Sequence, residues 1–299
     1  MLPFLQLLDC KGDALHYTML HIEHVSSEHL CESGAKQMEI STKALRLLSL
    51  EGKVAVITGA ASGIGRGTAE LFAQMGSKVA LLDIDLTKGA EVESCINKDG
   101  RCAKFFKCDV TSDADCRKAT EDIIARFGKI DILFNNAGVA IRKNTVDLSE
   151  KEWDLALDVT LKGIFMLSHY VIPHMINNGG GSIINTGSGW SLKGGANAVS
   201  YCAAKGGTVN LTRAMAIDHG KHNIRVNCIC PGDIDTPLLH SECEQLGEDE
   251  NQFMKEAADR PINRVGTPQD VAHAALFFAS DMSVWVTGAQ LVVDGGGLA

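Results

Sequence analysis

The sequence predicts an α/β fold, a doubly wound parallel sheet in a single domain behind an atypical N-terminal extension. Three observations predict it. Residues 54–67 read VAVITGAASGIGRG, an apolar, β-branched run that passes straight into a glycine turn and on toward a helix. From Leu50 onward, apolar runs of strand length alternate with stretches of helical length, the pattern of repeated β/α units covering both faces of a parallel sheet. No linker and no further repeat interrupts residues 50–299.

Each element follows from local pattern. Residues 54–58 have the composition of a strand buried on both faces. Residues 68–74 put Leu71 and Phe72 on one side of a helix that stops near Gly76. A second strand over 78–83 precedes a polar helix over 86–98. A third strand spans 103–110, and a helix over 112–127 starts at an N-cap within TSDAD. The fourth strand, 130–135, runs into Asn136-Ala137-Gly138. Residues 150–175 read as helix, stopped by the glycines at 179–181, and 182–186 as strand. A helix over 203–220, a strand over 225–230 and a short closing strand over 290–293 complete the domain, 49–299.

Composition narrows function. At 299 residues the chain can bury a large core. A formal net charge of −9 argues against nucleic-acid partners, which need basic surface. The longest apolar runs are of strand length, so no membrane span is expected. Ten cysteines are scattered with no C-x-x-C pair, only a C-x-C at Cys228 and Cys230, which suits reduced thiols in a cytoplasmic protein. The first residues, MLPFLQLLDCKGD, lack the basic start and cleavage site of a secretory signal.

Residues 1–48 show no strand–helix alternation and carry His16, His21, His24 and His29, with Cys31 nearby. Structural zinc sites use repeated, defined ligand spacings, so no metal is expected here. The segment reads as a loosely ordered extension, or as sequence upstream of a functional start near Met38. Removing residues 1–37 is expected to leave activity intact, and a large loss of activity or solubility would refute that reading.

Strand, glycine turn and helix start form the setting of a dinucleotide fingerprint: the turn lets backbone approach a pyrophosphate, and the helix N-terminus offers free N–H groups. The spacing is G-x-x-x-G-x-G at Gly59, Gly63 and Gly65. Thr58-Gly59 through Gly65, Asn135-Asn136-Ala137-Gly138, Ser188 thirteen residues before Tyr201, the Y-x-x-x-K of Tyr201 and Lys205, Pro231-Gly232-Asp233-Ile234-Asp235-Thr236, and Val286-Thr287-Gly288 with Asp294-Gly295-Gly296 stand in one order. Together they resemble the short-chain dehydrogenases/reductases from about Leu50 to the C-terminus.

The resemblance implies a Rossmann-type fold that binds a nicotinamide dinucleotide and acts on an alcohol or ketone. Gly59, Ser62, Gly63, Ile64 and Gly65 would form the pyrophosphate loop. Asp109 and Val110 would flank the adenine, with Asn135, Asn136, Ala137 and Gly138 on the adenosine side. Pro231, Gly232, Ile234 and Thr236 would meet the nicotinamide end. Asn135 and Asn136 also suit a purely structural role, bridging strands through their amides. Asp83 ends the second strand, where a carboxylate accepts ribose hydroxyls and repels a 2′-phosphate. With Asp85 beside it and Ser62 in place of a basic residue, NAD(H) is expected over NADP(H). The bland reading of Asp83 is a helix cap.

Hydride transfer to a ketone builds negative charge on oxygen, and a proton donor must stand there. Tyrosine ordinarily titrates near about 10, and a neighbouring ammonium lowers that value. Tyr201 and Lys205 are i and i+4 on one helix face. Tyr201 is thus expected as acid/base, Lys205 as the group that lowers its pKa and holds the nicotinamide ribose, and Ser188 as a hydrogen-bonding partner of the substrate oxygen. The family often has Asn in a motif like V-N-L-x-G, where it helps hold a relay water. Here Val159-Thr160-Leu161-Lys162-Gly163 places Thr160 there, so proton exchange is expected to be slower or differently routed.

The substrate pocket is expected from Val139 to Arg142, from Gly189, Trp190, Ser191 and Leu192, and from a helical lid over about 237–264. The lid carries Glu242, Glu244, Glu248, Asp249 and Glu250, as a solvated face or as charge that disfavours acyl-carrier substrates. Trp190 either stacks on a ring or packs in the core. The expected reaction is NAD-dependent oxidation of a secondary alcohol or reduction of its ketone, of polyol, sugar-acid, cyclic-diol or hydroxysteroid type. The alternatives are a 3-oxoacyl-thioester reductase and a non-catalytic NAD-binding regulator. The resemblance also implies a homotetramer or homodimer.

Overall fold

A computed structural model describes residues 46–299. The predicted extension, with His16, His21, His24, His29 and Cys31, falls outside the described residues up to position 45.

The strand-length runs form one sheet of parallel strands. They are β1 (Val54–Thr58), β2 (Lys78–Asp83), β3 (Ala103–Lys107), β4 (Ile132–Asn135), β5 (Gly181–Thr186), β6 (Ile224–Pro231) and β7 (Gln290–Val293). Their order is β3-β2-β1-β4-β5-β6-β7, with Val56 opposite Ala80 on one side and Leu133 on the other. Strand order therefore reverses between β1 and β4. In open α/β sheets the crevice at the carboxyl ends of such a pair is where ligands bind.

Helices cover both faces. Those of the first half are α1 (Gly63–Gln74), α2 (Leu86–Lys98) and α3 (Asp113–Phe127). Then come α4 (Glu150–Leu157), α5 (Gly163–Asn177) and α6 (Val199–His219), followed by α7 (Pro237–Leu246), α8 (Glu250–Ala258) and α9 (Pro268–Ala279). On one face Phe72 of α1 and Val271 and Phe278 of α9 pack on Ile57, Leu81 and Phe134. On the other, Ile123, Leu167, Val171 and Met175 pack on Val56, Leu133 and Ile183. The buried strand composition read from sequence has this two-sided cover as its cause.

Several boundaries differ from the sequence reading, each for a local reason. The glycine turn is already the first turn of α1, which begins at Gly63 rather than near 68. β3 ends at Lys107, after which Asp109 turns back to bond Thr111, and Ser112 caps α3 by accepting from Asp115 N–H. The predicted helix over 150–175 is α4 and α5 joined by a π-helical turn, Asp158–Lys162. Such one-turn bulges in a helix often mark functional positions. Helix α9 went unread, although Thr267-Pro268-Gln269-Asp270 is a capping box with proline at the first helical turn.

The continuous helical run Glu150–Asn177 is 28 residues with a mean hydropathy of 1.4, so one apolar stretch exceeds the strand length expected from sequence. By length and composition alone it could cross a membrane. Its apolar side is instead the face that Leu167, Val171 and Met175 bury against the sheet.

Candidate active site

The carboxyl ends of β1, β4 and β5 open onto a cavity of ≈ 690 Å³. At one end is the glycine turn. Gly59 takes φ +62, in the left-handed region, and a Cβ there would come within 3.1 Å of Ala137 Cα. A Cβ on Gly65 would stand 2.0 Å from the Gly59 carbonyl oxygen, so the close passage of turn and helix admits no side chain. Ser62 is the N-cap residue of α1 but makes no capping bond, and the first turn carries no acidic residue. The α1 N–H groups thus face the cavity with a partial positive charge.

Asp83, at the end of β2, faces the same space. Its Oδ2 accepts from Ala61 N–H at 2.9 Å and its Oδ1 from Asp85 N–H at 3.0 Å. It is not a helix cap: Asp85 caps α2 by accepting from Lys88 N–H. Asp83 is therefore a carboxylate locked by backbone donors at the mouth of the turn.

Ser62, Gly63, Ile64, Asp109, Val110, Asn136, Ala137, Gly138, Pro231, Gly232, Ile234 and Thr236 also line the cavity. Two predicted cofactor residues do not. Gly65 lies behind the turn, where it permits the approach just described. Asn135 is buried in β4 and donates to Asn185 Oδ1 at 2.9 Å, a bridge between β4 and β5. Asn136 combines both expected roles, since it faces the cavity and donates from its side chain to the Thr58 carbonyl at 3.1 Å.

At the other end stand Ser188, Tyr201 and Lys205. Ser188 follows β5; its Oγ accepts from Trp190 N–H and its own N–H donates to Ser191 Oγ, so a short 3₁₀ turn, Gly189–Ser191, fixes it. Tyr201 and Lys205 lie one turn apart on α6, both buried. Lys205 Nζ stands 5.6 Å from the Tyr201 ring centroid and donates to the Thr186 carbonyl at 2.6 Å.

The electrostatics correct one expectation. Burial raises the Tyr201 pKa above its ordinary value, and the Glu242 carboxylate adds to that rise; a hydrogen bond with Ser188 works against both. The lowering expected from Lys205 does not prevail over burial, and Lys205 donates to the Thr186 carbonyl. Burial in turn lowers the Lys205 pKa to about 8.

Thr160, in the π-helical turn, is fully buried, and its hydroxyl is engaged by Val139, accepting from its N–H at 3.2 Å and donating to its carbonyl at 3.4 Å. It holds the loop after β4 and does not line the cavity. Trp190 faces the cavity and packs edge-on against Tyr201, with ring centroids 5.9 Å apart. The predicted lid is two helices, and its first one is pinned. Gln245 accepts from Arg142 N–H and donates to the Ala140 carbonyl, while Glu242 pairs with Arg142 at 2.7 Å.

Of the two sequence readings of the lid carboxylates, a solvated face does not hold for Glu242, which is buried and lines the cavity. The signal was available: Leu239 and Glu242 are i and i+3 on α7 and share its buried side. Arg260, Asp294 and Leu298 also line the cavity and had been given no role.

Residues 59–297 match the family described as Enoyl-(Acyl carrier protein) reductase. The chain is 43% identical over 257 residues to an uncharacterized oxidoreductase, YxbG, of Bacillus subtilis, covering 84% of this chain and 92% of that one. It is 37% identical over 253 residues to the 3-oxoacyl-[acyl-carrier-protein] reductase FabG of Thermotoga maritima, covering 83% and 99%. It is 39% identical over 245 residues to an NAD-dependent glycerol dehydrogenase of Listeria innocua, covering 82% and 93%. The crystal structure of a putative gluconate dehydrogenase from Agrobacterium tumefaciens superposes with a TM-score of 0.80 at 32% identity, covering 85% of this chain and 98% of that one. The protein belongs to the short-chain dehydrogenase/reductase family and is an oxidoreductase that acts on CH–OH groups with a nicotinamide dinucleotide.

Proposed function

We propose that the enzyme moves a hydride between NAD(H), in preference to NADP(H), and a secondary alcohol or its ketone of polyol, sugar-acid, cyclic-diol or hydroxysteroid type. The observation that carries this reading is one cavity shared by an uncapped helix start, a backbone-locked Asp83 and the Ser188–Tyr201–Lys205 group.

The residues fit the cofactor. The glycine turn leaves a cradle that any Cβ would fill, the α1 N–H groups suit a pyrophosphate, and Asp83 suits a ribose with free hydroxyls. When bound, the nicotinamide supplies or accepts the hydride. Tyr201 would give the phenol proton to a ketone oxygen as charge builds there, and its raised pKa keeps that proton in place at neutral pH. For alcohol oxidation the same oxygen must first lose its proton, so the oxidative direction gains from alkaline pH. Ser188 Oγ, anchored by Trp190 N–H, keeps its own proton to donate to the substrate oxygen. Lys205 would hold the nicotinamide ribose with protons not used on Thr186.

The glycerol dehydrogenase relative supports an NAD-linked alcohol reading. The thioester-reductase alternative draws on the FabG relative, but Glu242 puts a carboxylate in the cavity wall. The regulator alternative has only Thr160 in its favour. We also infer a homotetramer or homodimer. The exposed Val284 and Trp285, a few residues ahead of edge strand β7 in the chain, support self-association, and light scattering on the purified protein tests it.

A panel of alcohols with NAD, read as NADH formation, tests the central reading. Tyr201→Phe should lower turnover at least about a hundredfold while NADH still binds. Cofactor binding without turnover of any alcohol would favour the regulator.

A further inference from the structure

The wall facing Tyr201 is built on a charge pair. Arg142 and Glu242 meet at 2.7 Å with side chains only 10% and 11% exposed. Arg142 lies over the Trp190 ring, 4.9 Å from its centroid, and donates from Nη2 to the Ala196 carbonyl. Gln245, one turn on from Glu242, clips the Arg142 loop to α7. Thr236 caps that helix, and Pro237 occupies its first turn. Glu242 is thus held by backbone on two sides, and its position is fixed before any substrate arrives.

Only one Glu242 oxygen is used. Oε2 accepts from Arg142, while Oε1 has no protein hydrogen bond among the described residues and Glu242 lines the cavity. That oxygen is not sealed off but opens to the cavity, where a substrate hydroxyl would be its donor. The arrangement also has a sign. Arg142 turns its guanidinium to Trp190, Ala196 and Glu242 and does not itself line the cavity, so what faces the substrate is the carboxylate. Of the cationic side chains that do line the cavity, Lys205 donates to the Thr186 carbonyl at the Tyr201 end, Arg260 is paired with Asp233, and Lys193 is exposed. Burial raises the Glu242 pKa and the Arg142 hydrogen bond and charge oppose the rise.

We propose that Glu242, clamped by Arg142 beside Trp190, is a specificity-determining residue that accepts a hydrogen bond from a second hydroxyl of a neutral vicinal diol or polyol and excludes substrates that carry a carboxylate near the reacting carbon. The inference rests on the alcohol-dehydrogenase reading above and narrows its substrate class. Trp190 supplies the flat apolar wall on which the carbon face of such a ring or chain lies, and Glu242 reads the hydroxyl beyond it. A site built to hold a hydroxyl strongly rejects the analogue that lacks it, because the protein group is then left unpaired.

Two matched pairs of alcohols test this with NAD and the full chain. They are cis-1,2-cyclohexanediol against cyclohexanol, and glucitol against gluconate. In the wild type the hydroxyl-bearing, neutral member of each pair should have the higher kcat/KM, by roughly ten- to a hundredfold, the worth of one hydrogen bond to a charged group. Glu242→Leu should collapse the first ratio by raising KM for the diol more than for cyclohexanol. Glu242→Gln, which keeps size and an acceptor but not the charge, should relax the second ratio in favour of gluconate. Because Glu242→Leu strands Arg142, the double variant Arg142→Met/Glu242→Leu and a thermal melt accompany it. Cyclohexanol or gluconate turned over as well as its partner overturns the inference while leaving the parent reading in place. An equal loss for both members of each pair makes Glu242 a fold-holding residue, and overturns it too. NADH from none of the four overturns this inference, and silence across the whole alcohol panel overturns the parent reading with it.

Discussion

Lys205 donates from Nζ to the main-chain carbonyl of Thr186 at 2.6 Å, tying the second turn of α6 to the last residue of β5. No carboxylate pairs with Lys205 among the described residues, and burial lowers its pKa to about 8. The folded value lies below the unfolded one of about 10.4, so the unfolded chain binds more protons in that window. Stability from this group therefore rises with pH between the two values. Activity should run the other way. The kcat/KM for ketone reduction, which reports the free enzyme, should fall as pH rises through about 8. Lys205→Met should be slow and lack that limb. A wild-type profile level from about pH 7 to about pH 10 would show that the ammonium is not required.

Asp83 decides between cofactors through charge as well as shape. Both its oxygens already hold backbone N–H groups of the turn, so removing the side chain loosens the turn too. Asp83→Asn separates the two effects, since the amide carbonyl keeps one acceptor and the charge is gone. The ratio of kcat/KM for NADPH to that for NADH should rise about ten- to a hundredfold, the scale of a hydrogen bond to a charged group. Asp83→Ala should move the ratio similarly while lowering both absolute values. An unchanged ratio in both variants would assign Asp83 to holding the turn alone.

Much of this was legible in the sequence because the carriers are local. Buried parallel strands read as continuous apolar runs, and the glycine turn, Tyr201 with Lys205, and Asp83 sit at spacings set by a strand end or a helix turn. What escaped was set by packing across distance in the chain. Glu242 and Arg142 are a hundred residues apart in sequence, and nothing in either neighbourhood shows that each buries the other. The rise in the Tyr201 pKa has the same origin: it comes from burial and from Glu242, neither visible in Y-x-x-x-K. Gly65 reads as a contact by motif, whereas its missing Cβ serves the frame behind the cavity; for Asn135 the structure shows the strand-bridging role that stood beside the contact role.

Gly65 offers the sharpest steric test of the turn. Alanine there would put Cβ 2.0 Å from the Gly59 oxygen, against backbone that cannot rotate away, so turn and helix must separate. Gly65→Ala should weaken NADH binding at least about tenfold, as one lost contact of ordinary strength does, and should lower Tm. Titration of NADH fluorescence and a thermal melt read the two. Gly128 is the control: it ends α3 with nothing within 4 Å of its Cβ position, so its substitution meets only a strained φ of +84 and should leave NADH binding at the wild-type level. Wild-type affinity in Gly65→Ala would mean the turn relaxes more freely than its packing indicates.

His240 joins the two helices that follow the substrate wall. Its Nε2 meets Asp235 Oδ1 and its Nδ1 meets Glu250 Oε1, each at 2.9 Å, so only the doubly protonated ring donates to both carboxylates. The bond to Asp235 leads in raising the His240 pKa; burial opposes it, and the bond to Glu250 adds to the rise. A raised folded value means that the stabilisation is fully present below the unfolded value of about 6.5 and is lost as pH rises through the folded one. The ring is more than a third exposed, so the effect is local and belongs to the α7–α8 junction rather than to global stability. Amide hydrogen exchange over residues 236–250, corrected for its intrinsic pH dependence, should show more protection at about pH 6 than at about pH 8.5. His240→Gln, which can donate to one carboxylate but does not titrate, should show the same protection at both. If the variant keeps the wild-type pH response, the junction is held by the Asp249 cap on α8 and by core contacts, and His240 is not its latch.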